Sequence, residues 1–499
     1  MRIVLAGYNV DAEVLRRAEA GERPSRDQLT PEVISAAYAR ISRDPRPVGE
    51  LRRAALEEVA RARASNRKII FGMGHHSVAE HAVFNFDVLG LSRLAIEALE
   101  HFRLCSFTEK SQRYITLDHD FVLPKEILGT PFEEALRRLV AEQSKAYEEL
   151  NGALLARARA ERPELAAEKA AAKLLEGAAK EDARYATILA TSGQLGLTAN
   201  ARNLEHIVRR LAGSPLAELR DLGAKLFDAA SAVAPSLFLF TEPSRFDTET
   251  LGELGALADR LCGGATQPAR EAPFAAASLV ERPEAPDRRV AAALLAASTR
   301  RSYEECRAVA DRLGDAELRS LFEASMRRME FFDAPPRELE HVAFTFELIV
   351  SAACFAQLKR HRLSTLSVRP YDPELGLTIP PSIAAAGLEH VLRAIASRAE
   401  VVYRDLQQEH PDAAAYALTN AHRRRVLATM NLRELYHFSR LREDKHAQWD
   451  IRALAGDMRR AVEAVAPLGA LLLCGKDSYV ERYAGAFGKP PQIDPAKLE

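Results

Sequence analysis

Apolar residues recur every three or four positions over much of the chain, which is the pattern of amphipathic helices. Residues 133–159 and 388–408 show it most clearly and are rich in Ala, Leu, Glu and Arg, which favour helix formation. Strand-like runs are short and few, at residues 2–6, 84–89 and 344–350. The pattern therefore predicts a helix-rich α+β protein with small sheets.

Three pairs of similar segments recur in the same order along the chain. The pairs are EHAVFNFDV (80–88) with EHVAFTFEL (340–348), EHFRLCSFTEKSQRY (100–114) with RHRLSTLSVRPY (360–371), and ANARNLEH (199–206) with MNLRELYHF (430–438). Three collinear matches at similar intervals are far more specific than any one match. They predict a tandem duplication of one domain.

The segment between the two repeats is rich in Pro, Ala and Gly, as expected for a domain boundary. We place the first domain at residues 1–245, a linker at 246–274 and the second domain at 275–485. The chain has 499 residues, which is enough for two domains of this size.

Charge and cysteine content exclude several classes of protein. The net charge of −1 gives no electrostatic case for a nucleic acid or an anionic membrane as partner. No run of 18 or more apolar residues is present, and the N-terminus does not resemble a signal peptide. Five scattered cysteines without a CxxC pair indicate neither a disulfide framework nor a zinc–thiolate site. We therefore expect a cytoplasmic protein that binds neither membranes nor nucleic acids.

Two motifs carry candidate anion-binding groups. Arg360, His361 and Arg362 are consecutive, and Gln357 lies one helical turn earlier, so this group can bind a phosphate or carboxylate. A solvated basic turn is the alternative. The segment GHHSVAEH (74–81) reads as a capping box with Ser77 at the N-cap and Glu80 at N3, at a helix N-terminus suited to an anion. It lacks the HExxH spacing, so we expect no metal site.

Two further segments place polar groups on common faces. Glu109, Ser111 and Arg113 alternate, so they share one face of an extended segment and suit a nucleotide or sugar phosphate, or else form the polar side of an edge strand. Arg442 and His446 are four residues apart, which places them on one face of a predicted helix.

Together these segments resemble the flavin-dependent thymidylate synthase (ThyX) family. The family signature is RHR, seven residues and Ser, after a GHxSxxEHxxFTF block and before an NARSLxxFxxLRxxxxAQWEIR helix. Two divergent copies cover nearly the whole chain apart from the linker and the C-terminus. The resemblance implies two tandem domains of this type, each helix-rich with a small antiparallel sheet.

The two copies match the family pattern at different positions. In the first copy the RHR signature reads His101-Phe102-Arg103, whereas the second copy has Pro370 at the signature serine, Val368 at the acid and Ala415 at a phosphate-binding Arg. Because the losses are complementary, we expect composite sites that draw on both copies.

The resemblance assigns roles to residues of both copies. Arg442 is the expected catalytic residue and also binds substrate. The other substrate-binding residues would be Glu109, Ser111, Arg113, Arg184, Gln357 and Arg360. The cofactor-binding residues would be His75, Ser77, Glu80, Arg103, Asn200, Arg202, His361, Arg362, Asn431, Arg433 and His446.

The implied reaction is reductive methylation of dUMP to dTMP with FAD as cofactor and methylenetetrahydrofolate and NADPH as co-substrates. Two alternatives remain open. One is another flavin-dependent modification of a pyrimidine C5, such as hydroxymethylation. The other is a degenerate, non-catalytic nucleotide-binding homologue. Because similar proteins are homotetramers with sites between subunits, we expect a homodimer that holds four copies of the fold.

Overall fold

The alternating segments of the sequence form the central strands of two antiparallel sheets. The computed structural model describes residues 1–111, 120–263 and 276–493. In the segment Val83–Ser92, Phe84, Phe86 and Val88 are fully buried, while Asn85 and Asp87 between them are exposed. This period of two places one face of the strand against a core and the other toward solvent.

The described residues divide into two compact units. Unit 1 is formed by the described residues of Met1–Lys180, Thr187–Pro268 and Ser397–Leu418. Unit 2 is formed by those of Glu181–Ala186, Ala269–Ala396 and Thr419–Glu499. Each unit therefore contains a short segment that the sequence assigns to the other repeat.

Unit 1 contains a four-stranded antiparallel sheet in the order β1-β2-β4-β3. Its strands are β1 (Arg2–Tyr8), β2 (Val83–Ser92), β3 (Ser106–Glu109) and β4 (Ser192–Asn200). A bulge interrupts the pairing of β2 with β4 between Leu89 and Leu91. Gly90 lies in this bulge with φ of +71°, a conformation that other residues adopt with strain.

Unit 2 repeats this topology as β5-β6-β8-β7. Its strands are β5 (Ala277–Glu281), β6 (Ala343–Ser351), β7 (Thr365–Tyr371) and β8 (Arg423–Asn431). Phe344, Phe346 and Leu348 of β6 are fully buried and take the places of the three core residues of β2. The expected α+β fold, helix-rich with two small antiparallel sheets, is confirmed.

Helices surround both sheets. In chain order the described α-helices are α1 (Ala12–Glu19), α2 (Glu32–Arg40), α3 (Val48–Glu57), α4 (Val59–Arg67), α5 (Arg93–Leu99), α6 (Pro131–Glu161), α7 (Pro163–Ala167), α8 (Lys169–Ala183), α9 (Ala201–Ala212), α10 (Ala217–Ser231), α11 (Arg245–Thr248), α12 (Thr250–Leu261), α13 (Pro286–Ser298), α14 (Tyr303–Ala310), α15 (Asp315–Met326), α16 (Ala352–Leu358), α17 (Pro381–Ala385), α18 (Glu389–Glu409), α19 (Pro411–Ala414), α20 (Leu432–Arg442), α21 (Trp449–Glu463) and α22 (Tyr479–Phe487). None of the described helices is long and apolar enough to cross a bilayer.

The same polar residues begin the helices that follow the central strands in both units. The Ser92 and Ser351 hydroxyls accept hydrogen bonds from backbone N–H groups at the start of α5 and α16. The Asn200 and Asn431 side chains do the same for α9 and α20. Because these caps satisfy otherwise unpaired helix donors, they fix where each strand ends and each helix starts. Several candidate site residues, among them Arg202, Gln357 and Arg442, lie on these helices.

Candidate functional site

Arg442, the last residue of α20, is held by two side chains of unit 2. Its Nη1 donates to Gln357 Oε1 at 2.9 Å, and its Nε donates to His361 Nε2 at 2.8 Å. Gln357 belongs to α16 and His361 follows that helix; both are buried. Two bonds from different nitrogens of one guanidinium fix its plane as well as its position. The structure thus brings together Arg442, Gln357 and His361 of the predicted site.

His361 is neutral in this arrangement because its Nε2 accepts the hydrogen bond from Arg442. Burial, the Arg442 charge and His437 hold its pKa well below the usual 6.5. The imidazole Nδ1 faces Glu434 Oε1 at 3.5 Å, and the ring packs edge-on against Phe438 with centroids 4.7 Å apart. Burial raises the pKa of the Glu434 carboxyl. His361 therefore lies inside unit 2, where it orients Arg442.

The lowered pKa of His361 predicts a pH-dependent stability. Between pH 6.5 and the lower folded pKa, the unfolded chain binds more protons than the folded chain, so stability is fully present above pH 6.5 and falls as the pH drops. We expect a loss of up to about 1.4 kcal/mol per pH unit from this residue. Urea unfolding between pH 7 and pH 5.5 measures it, and His361→Gln is the control because the amide accepts from Arg442 without titrating. If the free energy of unfolding fell equally with pH in wild type and in His361→Gln, this prediction would be contradicted.

Arg184 belongs to the same unit, although it comes from the first sequence repeat. Its guanidinium Nε donates to the Glu181 carbonyl at 3.1 Å, and its own carbonyl accepts from Asn420 Nδ2 at 3.1 Å. Burial and Asp450 raise the pKa of the Cys354 thiol well above its usual value, and Arg442 and Arg184 both oppose this rise. The two arginines therefore lie within electrostatic reach of one buried side chain.

Arg360 and Arg362 are exposed on either side of the buried His361. Arg360 Nε donates to the Ala356 carbonyl at 3.2 Å, which ties it back to α16. The RHR segment is therefore not a uniformly solvated basic turn, since its central residue is buried and its flanking arginines face outward.

Glu109 lies in unit 1 at the end of β3, where it is the partner of a buried arginine. Arg93 Nη1 lies 3.2 Å from Glu109 Oε1, and Arg93 Nη2 lies 3.5 Å from Glu97 Oε1. The side chains of Arg93 and Glu109 are only 3% and 7% exposed. Ser111 follows the strand and is half-buried, and Arg113 lies outside the described residues. Neither Arg93 nor Glu97 was predicted from the sequence.

Several predicted cofactor residues form matching pairs in the two units. Arg202 Nη1 lies 2.5 Å from Glu80 Oε1 in unit 1, and Arg433 Nη1 lies 3.0 Å from Glu340 Oε1 in unit 2. All four side chains are partly exposed. In unit 1 the pair joins α9, which follows β4, to the 3₁₀ helix before β2. In unit 2 it joins α20, which follows β8, to the 3₁₀ helix before β6. Asn200 and Asn431, one residue before α9 and α20, cap these helices with their side-chain amide oxygens.

Two local expectations about the remaining residues are wrong. Ser77 does not cap a helix: the 3₁₀ helix is His76–His81, with the exposed His75 at its N-cap and no side-chain hydrogen bond there. His446 does not share a helix face with Arg442, because α20 ends at Arg442 and the next helix begins at Trp449. The backbone N–H of His446 instead donates to Asp444 Oδ1 at 2.8 Å. Arg103 is exposed after α5.

Two carboxylates that the sequence analysis missed, a buried one in unit 1 and a partly buried one in unit 2, occupy equivalent places in the two units. Glu218 Oε2 accepts from Ser92 Oγ in unit 1, and Asp450 Oδ2 accepts from Ser351 Oγ in unit 2, both at 2.6 Å. Aligning LAELR (216–220) with QWDIR (448–452) would have paired them. Among the described residues, no group of three or more His, Cys, Asp and Glu side chains could hold a metal ion.

Comparison with known proteins identifies relatives of the chain. A UPF0159 protein of Chlamydia muridarum is 24% identical over 415 residues, which cover 79% of this chain and 78% of that protein. A flavin-dependent thymidylate synthase of Clostridium tetani is 29% identical over 221 residues, 43% of this chain and 83% of that protein.

One similar solved structure is the flavin-dependent thymidylate synthase ThyX of Helicobacter pylori complexed with FAD and dUMP. It is 19% identical, covers 48% of this chain and 100% of that chain, and has a TM-score of 0.30. The family described as thymidylate synthase complementing protein (Thy1) matches two segments, residues 27–236 and 278–468. The two matched segments agree with the two tandem copies seen in the sequence, and the chain belongs to the Thy1 family.

Proposed function

We propose that the chain is an FAD-dependent thymidylate synthase that converts dUMP to dTMP. The observation that carries the proposal is the unit 2 cluster, in which Gln357 and His361 orient Arg442; the same unit also contains Arg184. Membership of the Thy1 family and the similarity to flavin-dependent thymidylate synthases support it.

The cluster suits an anionic nucleotide. Arg184 and the exposed Arg360 provide guanidinium groups for the phosphate of dUMP, because guanidinium N–H groups match phosphate oxygens in geometry and charge. Gln357 and Arg442 would contact the pyrimidine. Glu109, Ser111 and Arg113 remain predicted substrate residues, and for Glu109 this role competes with its pairing to Arg93.

Each unit contains exposed donors of a kind that suits FAD. Arg202 in unit 1 and Arg433 in unit 2 are each a partly exposed guanidinium near a helix start, a donor that suits a pyrophosphate. Arg103 and Arg362 add exposed cations. The amides of Asn200 and Asn431 and the side chains of His75, Ser77, Glu80 and His446 would complete the contacts. The buried His361 would act on the cofactor site only through Arg442.

The residues of the cluster can stabilise charge during the reaction. When bound, FAD would supply the hydride, and methylenetetrahydrofolate would supply the carbon unit. Arg442 would stabilise the negative charge that develops on the pyrimidine as C5 becomes nucleophilic, because its orientation is already fixed by Gln357 and His361. Cys354 is a poor nucleophile, because burial raises the pKa of its thiol well above the usual value.

The remaining parts of the proposal concern partners. We propose NADPH as reductant of the flavin, a homodimer with four copies of the fold, and a cytoplasmic location. The duplication within one chain supports the dimer, because two such chains would equal four single-domain subunits.

A tritium-release assay tests the proposed function. The purified chain is incubated with 5-tritiated dUMP, methylenetetrahydrofolate, FAD and NADPH, and we expect tritium in water together with dTMP. Omission of FAD from the apoprotein is the control and should abolish release. Release with a hydroxymethylated product would favour the alternative C5 modification. Tight dUMP binding without any release would favour a non-catalytic nucleotide-binding protein.

A further inference from the structure

A six-residue segment, Glu181–Ala186, anchors Arg184 within unit 2. Two side chains that flank Arg184 make the contacts. Asp182 accepts from Trp449 Nε1 at 2.7 Å and from the Ser382 hydroxyl. The Tyr185 ring stacks on the Trp449 ring with centroids 5.7 Å apart and planes 22° from parallel.

The Tyr185 hydroxyl makes two hydrogen bonds. It donates to Asp450 Oδ2 at 2.9 Å and accepts from Gln448 Nε2 at 2.8 Å. Asp450 also accepts from Ser351 Oγ. Tyr185 and Gln448 are fully buried and Asp450 is partly buried, so loss of the hydroxyl would leave the Gln448 amide and the Asp450 carboxylate short of a partner.

In unit 2, Tyr185 and Ser351 both donate to Asp450, an arrangement that we call the clamp. Unit 1 contains a similar clamp without the arginine. Tyr416 OH donates to Glu218 Oε2 at 2.6 Å, and Ser92 Oγ donates to the same oxygen at 2.6 Å. Here Ala415 precedes the tyrosine, at the position that Arg184 holds before Tyr185. The two clamps therefore share the hydrogen bonds from a tyrosine and a serine to one carboxylate oxygen. They differ in the residue that they carry and in Gln448, which is Leu216 in unit 1.

We propose that Tyr185 is a positioning residue, which through Gln448 and Asp450 holds the Arg184 guanidinium in the nucleotide phosphate site of unit 2. The inference rests on the proposed function for the identity of the ligand. Tyr416 is then a purely structural counterpart, since the clamp of unit 1 carries an alanine.

Tyr185→Phe and Tyr416→Phe form a matched pair that tests this inference. Each removes one buried hydroxyl bound to a carboxylate, so both should lower the unfolding temperature. Only Tyr185→Phe should raise the KM for dUMP, by about tenfold, with kcat within about twofold of wild type. Equal KM values in the two variants would overturn the proposal.

A double variant separates positioning from general damage. If Tyr185 acts through Arg184, adding Tyr185→Phe to Arg184→Ala should raise the KM no further, while the unfolding temperature should still fall. An additional tenfold rise in KM would show that Tyr185 acts by another route and would overturn the proposal.

Hydrogen exchange measured in the absence of nucleotide distinguishes failure of the inference about Tyr185 from failure of the proposed function. The Ala421 N–H donates to the Tyr185 carbonyl, and the Ala190 N–H donates to the Tyr416 carbonyl. Tyr185→Phe should speed exchange at Ala421 and spare Ala190, and Tyr416→Phe should do the reverse. If wild type neither binds dUMP nor releases tritium, the proposed function fails, and unchanged exchange at Ala421 in Tyr185→Phe would refute the clamp itself.

Discussion

Replacement of Arg442 by alanine is expected to lower the kcat for tritium release by about 100- to 1,000-fold, because this is the usual effect of removing one preorganised donor that stabilises charge in the transition state. The guanidinium is fixed by Gln357 and His361 before any substrate binds, so its stabilising effect needs no reorganisation during the reaction. Stopped assays with 5-tritiated dUMP at saturating substrate measure the effect.

Two control variants show whether this loss is specific. Arg442→Lys keeps the charge but cannot donate to both Gln357 and His361 from one planar group, so we expect activity between wild type and Arg442→Ala. Arg460→Ala removes an exposed arginine paired with Asp457 and should leave kcat unchanged. If Arg442→Ala kept more than a third of the wild-type kcat, Arg442 would have no catalytic role.

The central strands and long helices could be predicted because their burial is periodic. The predicted strands at 84–89 and 344–350 lie within β2 and β6, and the predicted helices at 133–159 and 388–408 match α6 and α18 to within two residues. The strand β4 was missed because its sequence, SGQLGLTAN, is rich in glycine and polar residues. The strand β8 was missed because it begins with three arginines.

The site could be predicted only where its residues follow a known motif. Gln357 and Arg442 are 85 positions apart, and only the family resemblance indicated that they belong together. Arg93 stands in no motif, and sequence patterns predict buried ion pairs poorly because charged residues usually lie at the surface. The clamp at Tyr185 was missed because its tyrosine and its carboxylate come from different repeats.

Glu109→Gln is expected to lower the free energy of unfolding by about 1.5–3 kcal/mol, because the buried Arg93 loses its nearer counterion while Glu97 stays 3.5 Å away. Urea unfolding of wild type and variant at pH 7 measures the loss. Glu133→Gln is the matched control: Glu133 forms a partly exposed pair with Arg137 at 2.9 Å, glutamine can still accept the Gly129 N–H, and the loss should cost about 0–1 kcal/mol.

The same variant decides between the two roles of Glu109. A carboxylate that serves mainly as the Arg93 counterion should, when neutralised, destabilise unit 1 and change the KM for dUMP little under conditions where the variant is folded. A carboxylate that contacts the nucleotide should give the opposite result, an unchanged unfolding midpoint with a raised KM. Because the Arg93 side chain is 3% exposed, water cannot replace the charge that Glu109 loses, and the buried cation then depends more on Glu97, 3.5 Å away. We therefore expect the stability effect to dominate, and an unfolding midpoint equal to that of Glu133→Gln would contradict this assignment.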